Sequence, residues 1–422
     1  MRQDLFIIPH EWLSLPVFGW GWLLMAWAIA SLVLLAEQWR RNRSAADAMQ
    51  AVPMLLAVAV VIVVVLPRLE ATTPAGQPIG LPIRGYGVML LLAVLAGVGL
   101  AARQARQMGV HPDVIYSLAF WMFLGGIAGA RLFYVFQYWD RFVREDALAT
   151  LLAMVNVIPG GLVVYGSLIG ALLAGGVFLR LRRLPVLAMA DLVAPSLALG
   201  LALGRIGCLL NGCCFGGVCE QPGWCVRFPE NSPPYAHQRA HGQLHGFRVG
   251  AGGEGAVPKV LVVEPGGPAA TAGLEPGAVI RAIDGRPVTQ LAQATGHLSV
   301  AGPRLELETD RGHVTIALDA LPARSRLVHP VQLYSAINAG LLALLLWAWY
   351  PLRRRDGELF AALLLIYPIT RFLLERIRTD EPGQLQTHLT ISQLVSFGLV
   401  ALALGLWLYL IRQPRGSVLP RS

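Results

Sequence analysis

The stretch LGRIGCLLNGCCFGG (203–217) places an arginine inside an apolar run and follows it with an asparagine and three cysteines. Ionisable groups are costly inside a bilayer and mark functional sites there. A second such place is LFAALLLIYPITRFLLERI (359–377), where Tyr367, Arg371 and Glu375 recur at i, i+4 and i+8. That spacing puts all three on one helical face, over about 12 Å of axis. A third is HPVQLYSA (329–336), where His329, Gln332 and Tyr334 crowd the start of an apolar run and Pro330 suits a first helical turn. Two arginines with few acids nearby make an anion site, and planar guanidinium forks suit a phosphate bidentately. A phosphate at that depth is most simply a lipid headgroup. Plainer readings stand beside this one. Arg371 and Glu375 are able to neutralise each other near an interface, Arg205 to snorkel, and HPVQLY to serve as a cap with a belt tyrosine. Gly204 and Gly207 argue for close backbone packing at Arg205 rather than a lipid-facing stem.

These residues need membrane helices to hold them. The chain has 422 residues, 55% hydrophobic and 14% charged, with a mean hydropathy of +0.57. Soluble domains carry roughly a quarter charged residues, so this is an integral membrane protein. Apolar runs of spanning length fall at 17–36, 52–67, 86–102, 115–136, 161–179, 190–210, 331–350, 359–377 and 389–411. The expected fold is all-α and polytopic, with about nine transmembrane helices and one inserted α+β domain. The net charge of +9 is almost all arginine. Arg40, Arg41 and Arg43 follow the first run, so it does not read as a cleaved signal. Further clusters at Arg103 and Arg106, at Arg180, Arg182 and Arg183, at Arg353, Arg354 and Arg355, and at Arg412 and Arg415 mark alternate connections. The positive-inside rule then sets the N-terminus outside, the C-terminus inside and segment 211–328 outside. Asp191 falls at the inner end of its run, where it reads as helix packing or an N-cap.

Segment 244–320 differs in kind. KVLVVEP is a strand pattern, PAATAGL a short helix stopped at Gly273, AVIRAIDG a strand closed by an Asp-Gly turn, and RLELETDRGHVTIAL a hairpin. The string PGGPAATAGLEPGAVIRAIDGRPV resembles the core of a bacterial PDZ domain. That resemblance implies a loop that binds a C-terminal carboxylate while the peptide adds as a strand. The matching positions are Leu244, His245, Gly246 and Phe247. A structural insertion with no peptide partner is the equal alternative.

The rest of the chain resembles the prolipoprotein diacylglyceryl transferase family. The resemblance rests on RGYGVM (84–89), GGIAGARLFYV (125–135), GGLVVYGSLIG (160–170), ADLVAP (190–195), GRIGCLLNGCCFG (204–216), VRFP (226–229), HPVQLY (329–334) and YPITRFLLE (367–375), in family order. It divides the chain into two extra helices (1–78), a core in two parts (79–230 and 329–411) split by the PDZ-like domain, and a cytoplasmic tail (412–422). It implies an inner-membrane enzyme that moves the diacylglyceryl group of phosphatidylglycerol onto the lipobox cysteine of a prolipoprotein, releasing glycerol 1-phosphate. Its partners would be that lipid and prolipoprotein signal peptides, with no nucleic acid, metal or organic cofactor. Arg205 and Arg371 would hold the leaving phosphate and Glu375 would orient Arg371. Asn211, Gly216 and Gln332 would shape the pocket, and Tyr86, Tyr334 and Tyr367 would line it. The chain departs from the family at three places. Tyr165 stands where the family carries a histidine, Cys208 replaces an asparagine, and Cys213 replaces a glutamate. A phenol, with an ordinary pKa near 10, is a poor base but a good hydrogen-bond donor, so the leaving phosphate or His329 is left to take the proton.

All five cysteines (Cys208, Cys213, Cys214, Cys219, Cys225) fall within 208–225. The spacing lacks two separated CxxC pairs and holds no histidine, which argues against a metal. Disulfides fit an outer compartment better, with at least one thiol left over; a covalent cysteine intermediate is a third reading. Other functional classes fit these residues less well. An intramembrane metalloprotease needs HExxH, and His10-Glu11 has no second histidine. A transporter would show internal repeats. A divergent relative with another substrate, or a PDZ-based scaffold without transferase activity, is the remaining alternative.

Overall fold

The computed structural model describes residues 3–42, 45–73, 75–144, 146–157, 160–219, 223–251, 257–379 and 389–419. The chain forms two units, Met1–Val88 and Met89–Ser422. In the first, β1 (Asp4–Pro9) pairs antiparallel with β5 (Pro78–Arg84), which also takes β4 (Ala71–Thr72). A two-residue-per-strand hairpin, β2 (Glu11–Trp12) and β3 (Leu15–Pro16), precedes α1 (Trp22–Asn42) and α2 (Ala45–Val60). The Trp27 indole donates to the Leu55 carbonyl at 3.1 Å, joining the two helices.

The second unit is a helical bundle. Its long helices are α3 (Gly85–Gln107, of which 85–88 belong to the first unit), α4 (Pro112–Gln137), α6 (Val164–Leu181), α7 (Val186–Asn211), α11 (Val331–Trp349), α12 (Glu358–Glu375) and α13 (Ile391–Arg412), with a short α5 (Ala147–Val155) capped by Asp146. All nine apolar runs are helical, but only seven described helices are long and apolar enough to cross a membrane. Among the described residues, Trp22–Glu37 of α1 is a shorter apolar helix, and α12 carries Glu358, Arg371 and Glu375 within its 18 residues.

Helices α4 and α6 approach through small residues. A Cβ on Gly129 would lie 2.4 Å from the Gly166 carbonyl oxygen, and one on Gly170 would lie 2.1 Å from that of Gly125. Gly125-x3-Gly129 against Gly166-x3-Gly170 is the small-residue seam by which membrane helices bring backbones together. Around α7 the core is built from Leu192, Ala194 and Ala198 with Leu342 and Leu346 of α11 and Leu359 of α12. Asp191 is fully buried there and accepts from the backbone N–H groups of Gly357, Leu359 and Phe360 at 2.7–3.0 Å. It caps α12, a partner helix, rather than its own, meeting donors that a helix N-terminus leaves unpaired.

Between α7 and α11 the chain leaves the bundle and returns. The two strands of this excursion pair: Val218 and Val226 with Val328, and Pro229 with Arg324. Phe215, Phe228 and Val328 pack inside the paired segment. Beyond it lies an α+β module. It starts with α8 (Pro233–Ala240), then β6 (Phe247–Ala251) and β7 (Pro258–Val263), which pair with each other. The short α9 (Pro268–Thr271) follows, then β8 (Ile280–Ile283), β9 (Arg286–Pro287), α10 (Leu291–Val300), β10 (Arg304–Thr309) and β11 (Gly312–Ala317). The sheet order is β11-β10-β8-β9. The strands and hairpin expected here are present; α8, β6 and α10 are additions. The four expected peptide-loop residues precede or open β6. Leu244, His245 and Phe247 are buried, and the N–H groups of His245, Gly246 and Phe247 donate to Gly242, Gln243 and Gly242 carbonyls. Those donors are therefore committed within the loop itself.

Candidate active site

The Tyr367-Arg371-Glu375 face of α12 meets α7 and the start of α13. Arg371 pairs with Glu375 at 2.7 Å, and the glutamate side chain is wholly buried. Glu375 also pairs with Arg378 at 3.0 Å and accepts from the Thr390 hydroxyl at 3.4 Å. A buried carboxylate with two guanidiniums and a hydroxyl is well satisfied. It leaves one net positive charge, with Arg371 at the edge of the cluster. The other end of Arg371 donates to the Ser392 hydroxyl at 3.2 Å, and Ser392 lies 3.2 Å from the Tyr165 hydroxyl of α6. Arg205 of α7 hydrogen-bonds to the Tyr367 hydroxyl and lies near Cys208 and Cys214. It is also within electrostatic reach of Arg371. Arg205–Tyr367 and Arg371–Ser392–Tyr165 are thus two linked sets, contributed by four helices and within electrostatic reach of each other.

The end of α7 turns back on this cluster. Gly212 closes the helix in the left-handed conformation (φ 80°), which glycine adopts without steric cost. Cys214 follows with φ 60°. The Cys213 carbonyl is held by the side-chain amide of the buried Gln332 at 2.6 Å, and Asn211 hydrogen-bonds to Cys213. Gly216 then threads a gap that only glycine fits. A Cβ there would lie 2.8 Å from the side chains of His329 and Val331. Its N–H donates to the His329 carbonyl, and Gly217 donates to Ile377, just beyond α12.

The structure therefore pairs Arg205 with Tyr367 and Arg371 with Glu375, links Arg371 to Tyr165 through Ser392, and sets the two arginines within electrostatic reach, with Asn211, Gly216 and Gln332 shaping the adjoining loop. His329 stands apart from the arginines; a ring nitrogen lies within 4.8 Å of the Cys219 and Cys225 sulfurs. Tyr334 donates to the Trp224 carbonyl at 3.1 Å. Tyr86 belongs to the first unit. Cys219 and Cys225 form a disulfide, while Cys208, Cys213 and Cys214 are free thiols, which narrows the five expected disulfide candidates to one pair.

Four polar residues of this region escaped the sequence reading. Arg378 and Thr390 hold Glu375, and Ser392 links Arg371 to Tyr165. Arg131 of α4 donates to the carbonyls of Ala153, Met154, Asn156, Gly160 and Gly161 at 2.5–3.1 Å. It fixes the loop that leads into Tyr165. Thr390 had a readable signal, since Thr-x-x-Gln at 390–393 is a capping box.

The family model described as prolipoprotein diacylglyceryl transferase matches residues 75–409. A protein of Rhodopirellula baltica named phosphatidylglycerol–prolipoprotein diacylglyceryl transferase is 35% identical over 96% of this chain and 88% of its own length. Proteins of the same name from Trichormus variabilis and Clostridium tetani are 37% and 32% identical over 36% and 40% of this chain, covering 52% and 64% of their own lengths. The match of the family model across the arginine face, the α7 turn and α11, and the near full-length relative, lead to one conclusion: this chain belongs to the prolipoprotein diacylglyceryl transferase family.

Proposed function

We propose that the chain transfers the diacylglyceryl group of phosphatidylglycerol to the lipobox cysteine of prolipoproteins and releases glycerol 1-phosphate. The observation that carries this reading is the pair Arg205 and Arg371, two cations within electrostatic reach on α7 and α12, beside a Glu375 carboxylate that Arg371 shares with Arg378. Displacement at the glyceryl carbon puts growing negative charge on the phosphate, and fixed guanidiniums aimed at that charge lower the barrier. Arg205 and Arg371 bind the phosphate oxygens. Glu375 positions Arg371, and Tyr367 positions Arg205. Tyr165 and Ser392 present hydroxyls on the same side and extend the anion pocket. Asn211, Gly216, Gln332 and Tyr334 shape its wall. His329 serves as a proton acceptor near the loop.

The arginine clusters support an orientation with the N-terminus outside and the C-terminus inside, in the bacterial inner membrane. The inserted module is then PDZ-like and periplasmic. The committed N–H groups of its Leu244–Phe247 loop favour a structural insertion over carboxylate capture.

The test is complementation of a bacterium depleted of its own transferase, followed by mass measurement of a reporter lipoprotein. A diacylglyceryl mass increment is expected with the wild-type chain. Growth and reporter mass unchanged from the depleted strain would overturn the assignment.

A further inference from the structure

The thiols the disulfide leaves behind are not scattered. The sulfurs of Cys208, Cys213 and Cys214 all lie within 4.8 Å of one another, each residue half-buried. Cys208 lies in the last turn of α7 and the other two sit beyond the left-handed turn at Gly212, so the turn itself assembles the cluster. Cys214 is held at φ 60°, a conformation that a side chain with a Cβ adopts at a cost of about 1 kcal/mol. The cost buys convergence of three sulfurs. Backbone restraint comes from Gln332 on the Cys213 carbonyl and from Asn211 on the Cys213 side chain.

Sulfurs bound tetrahedrally to zinc at about 2.3 Å lie about 3.8 Å from one another, so a contraction of at most about an ångström suits the cluster to that ion. No described histidine, aspartate or glutamate joins the group. Three protein ligands and one open position are the hallmark of a reactive zinc site, whereas structural sites close all four. Three thiolates on zinc leave one net negative charge, and Arg205 stands beside Cys208 and Cys214 to offset it.

We propose that Cys208, Cys213 and Cys214 form a three-thiolate zinc(II) site whose fourth position takes the sulfur of the acceptor cysteine. The reaction requires a thiolate nucleophile, and a thiol is a weak one until deprotonated. A zinc ion deprotonates a coordinating thiol outright. The acceptor thiol binds zinc as thiolate and its proton passes through water to His329. A sulfur electron pair then forms the S–C bond to the glyceryl carbon as the C–O bond to phosphate breaks, and that bonding pair leaves on the phosphate oxygen held by Arg371 and Arg205. The product thioether is neutral and a weak ligand, so it departs and frees the position. Zinc undergoes no redox change. The identity of the acceptor rests on the transferase reading above; the existence of the metal site does not.

The experiment uses the full chain purified in detergent under reducing, anaerobic conditions. Zinc content after gel filtration should be one ion per chain, lost in Cys208→Ser, Cys213→Ser and Cys214→Ser. Cobalt(II) in place of zinc should give a thiolate-to-metal absorption band. A lipobox peptide should shift that band, and the same peptide with serine for cysteine should not. Transfer should fall about 100-fold or more in the serine variants. Arg205→Ala should lose transfer while keeping its zinc, which separates failure of the anion site from failure of the metal site. Wild-type protein without zinc, copper(I) as the sole bound ion, or a cobalt spectrum indifferent to the cysteine peptide would each overturn the proposal. The cobalt measurement uses the wild-type chain, so it stands even where a serine variant misfolds.

Discussion

Arg205 and Arg371 are unequal partners. Arg371 is tethered by Glu375 at 2.7 Å and by Ser392 at 3.2 Å, whereas Arg205 is steadied by the Tyr367 hydroxyl. Replacing either with alanine removes a charge that stabilises the departing phosphate, and loss of one such group costs about 10²–10³ in rate. Arg205→Ala and Arg371→Ala should each lose that much transfer in membranes while the protein stays inserted. Arg371→Lys should recover little, because an ammonium has no planar fork. Lysine variants at wild-type rates in a lipid-transfer assay would refute bidentate phosphate binding. Ser392 carries the second residue-scale prediction. Its hydroxyl is the sole bridge the described contacts draw between Arg371 and Tyr165. Ser392→Ala should lower transfer about 10-fold, the effect of losing an outer support, and adding Tyr165→Phe should cost little more because the two act through one link. Tyr367, Arg371 and Glu375 were legible in the sequence because helical spacing alone aligns them. The Tyr165–Ser392 link was not, since it joins residues 227 apart and depends on how α6 and α13 pack.

At the scale of elements, helix packing decides whether those residues meet. The α4–α6 seam has no room for a side chain, as the 2.4 Å approach of a Gly129 Cβ to the Gly166 carbonyl shows. Gly129→Leu should force the helices apart and displace Tyr165, one residue from the contact. Overpacking costs about 1–3 kcal/mol, and the measurable sign is a lower aggregation temperature in detergent together with reduced transfer. The inserted module offers an element-scale test by pH. His245 is fully buried, and its Nε2 sits 2.9 Å from the Gly302 carbonyl, so Nε2 donates and Nδ1 is a buried acceptor with no partner. Burial holds its pKa below the usual 6.5, with Arg239 acting in the same direction and the Gly302 bond and Asp284 opposing. The unfolded chain therefore takes up the proton first. The stabilisation is complete above pH 6.5 and is lost as pH falls below it. Proteolysis of the module in the full chain should accelerate between pH 7 and pH 5.5, and His245→Gln should flatten that dependence. The module's β7, β8 and β10–β11 were legible from alternation and turn residues. Helix α10 was not, because LAQATGHLSV mixes small and polar residues and becomes a helix by packing Ala294 and Leu298 into the module core.

At the scale of the whole chain, the question is how a transferase core carries an extra domain without losing its shape. Apolar runs and arginine clusters located the helices, yet the sequence held no clue that the insertion points lie side by side. They do: the Glu230 N–H donates to the Ala323 carbonyl at 3.2 Å, and Ser325 and Phe228 bond just below. A module whose ends meet adds little loop-closure cost to its host. Replacing residues 231–322 with a short glycine-serine turn should therefore leave a protein that inserts and accumulates normally. Its activity should not be intact, however. Pro233 and Pro234 of α8 lie against the turn at Gly212, and His237 packs edge-on against Phe215 at 5.5 Å. Excision removes those supports from the loop that carries Cys213 and Cys214, and loss of outer supports costs about 10-fold or more. The expected result is full membrane accumulation with transfer to a reporter lipoprotein reduced by that factor, and full zinc content retained because the three cysteines remain. Undiminished transfer after excision would show that α8 is a passenger on the core, and collapse of accumulation would show that the paired segment 213–230/323–329 does not stand without the module.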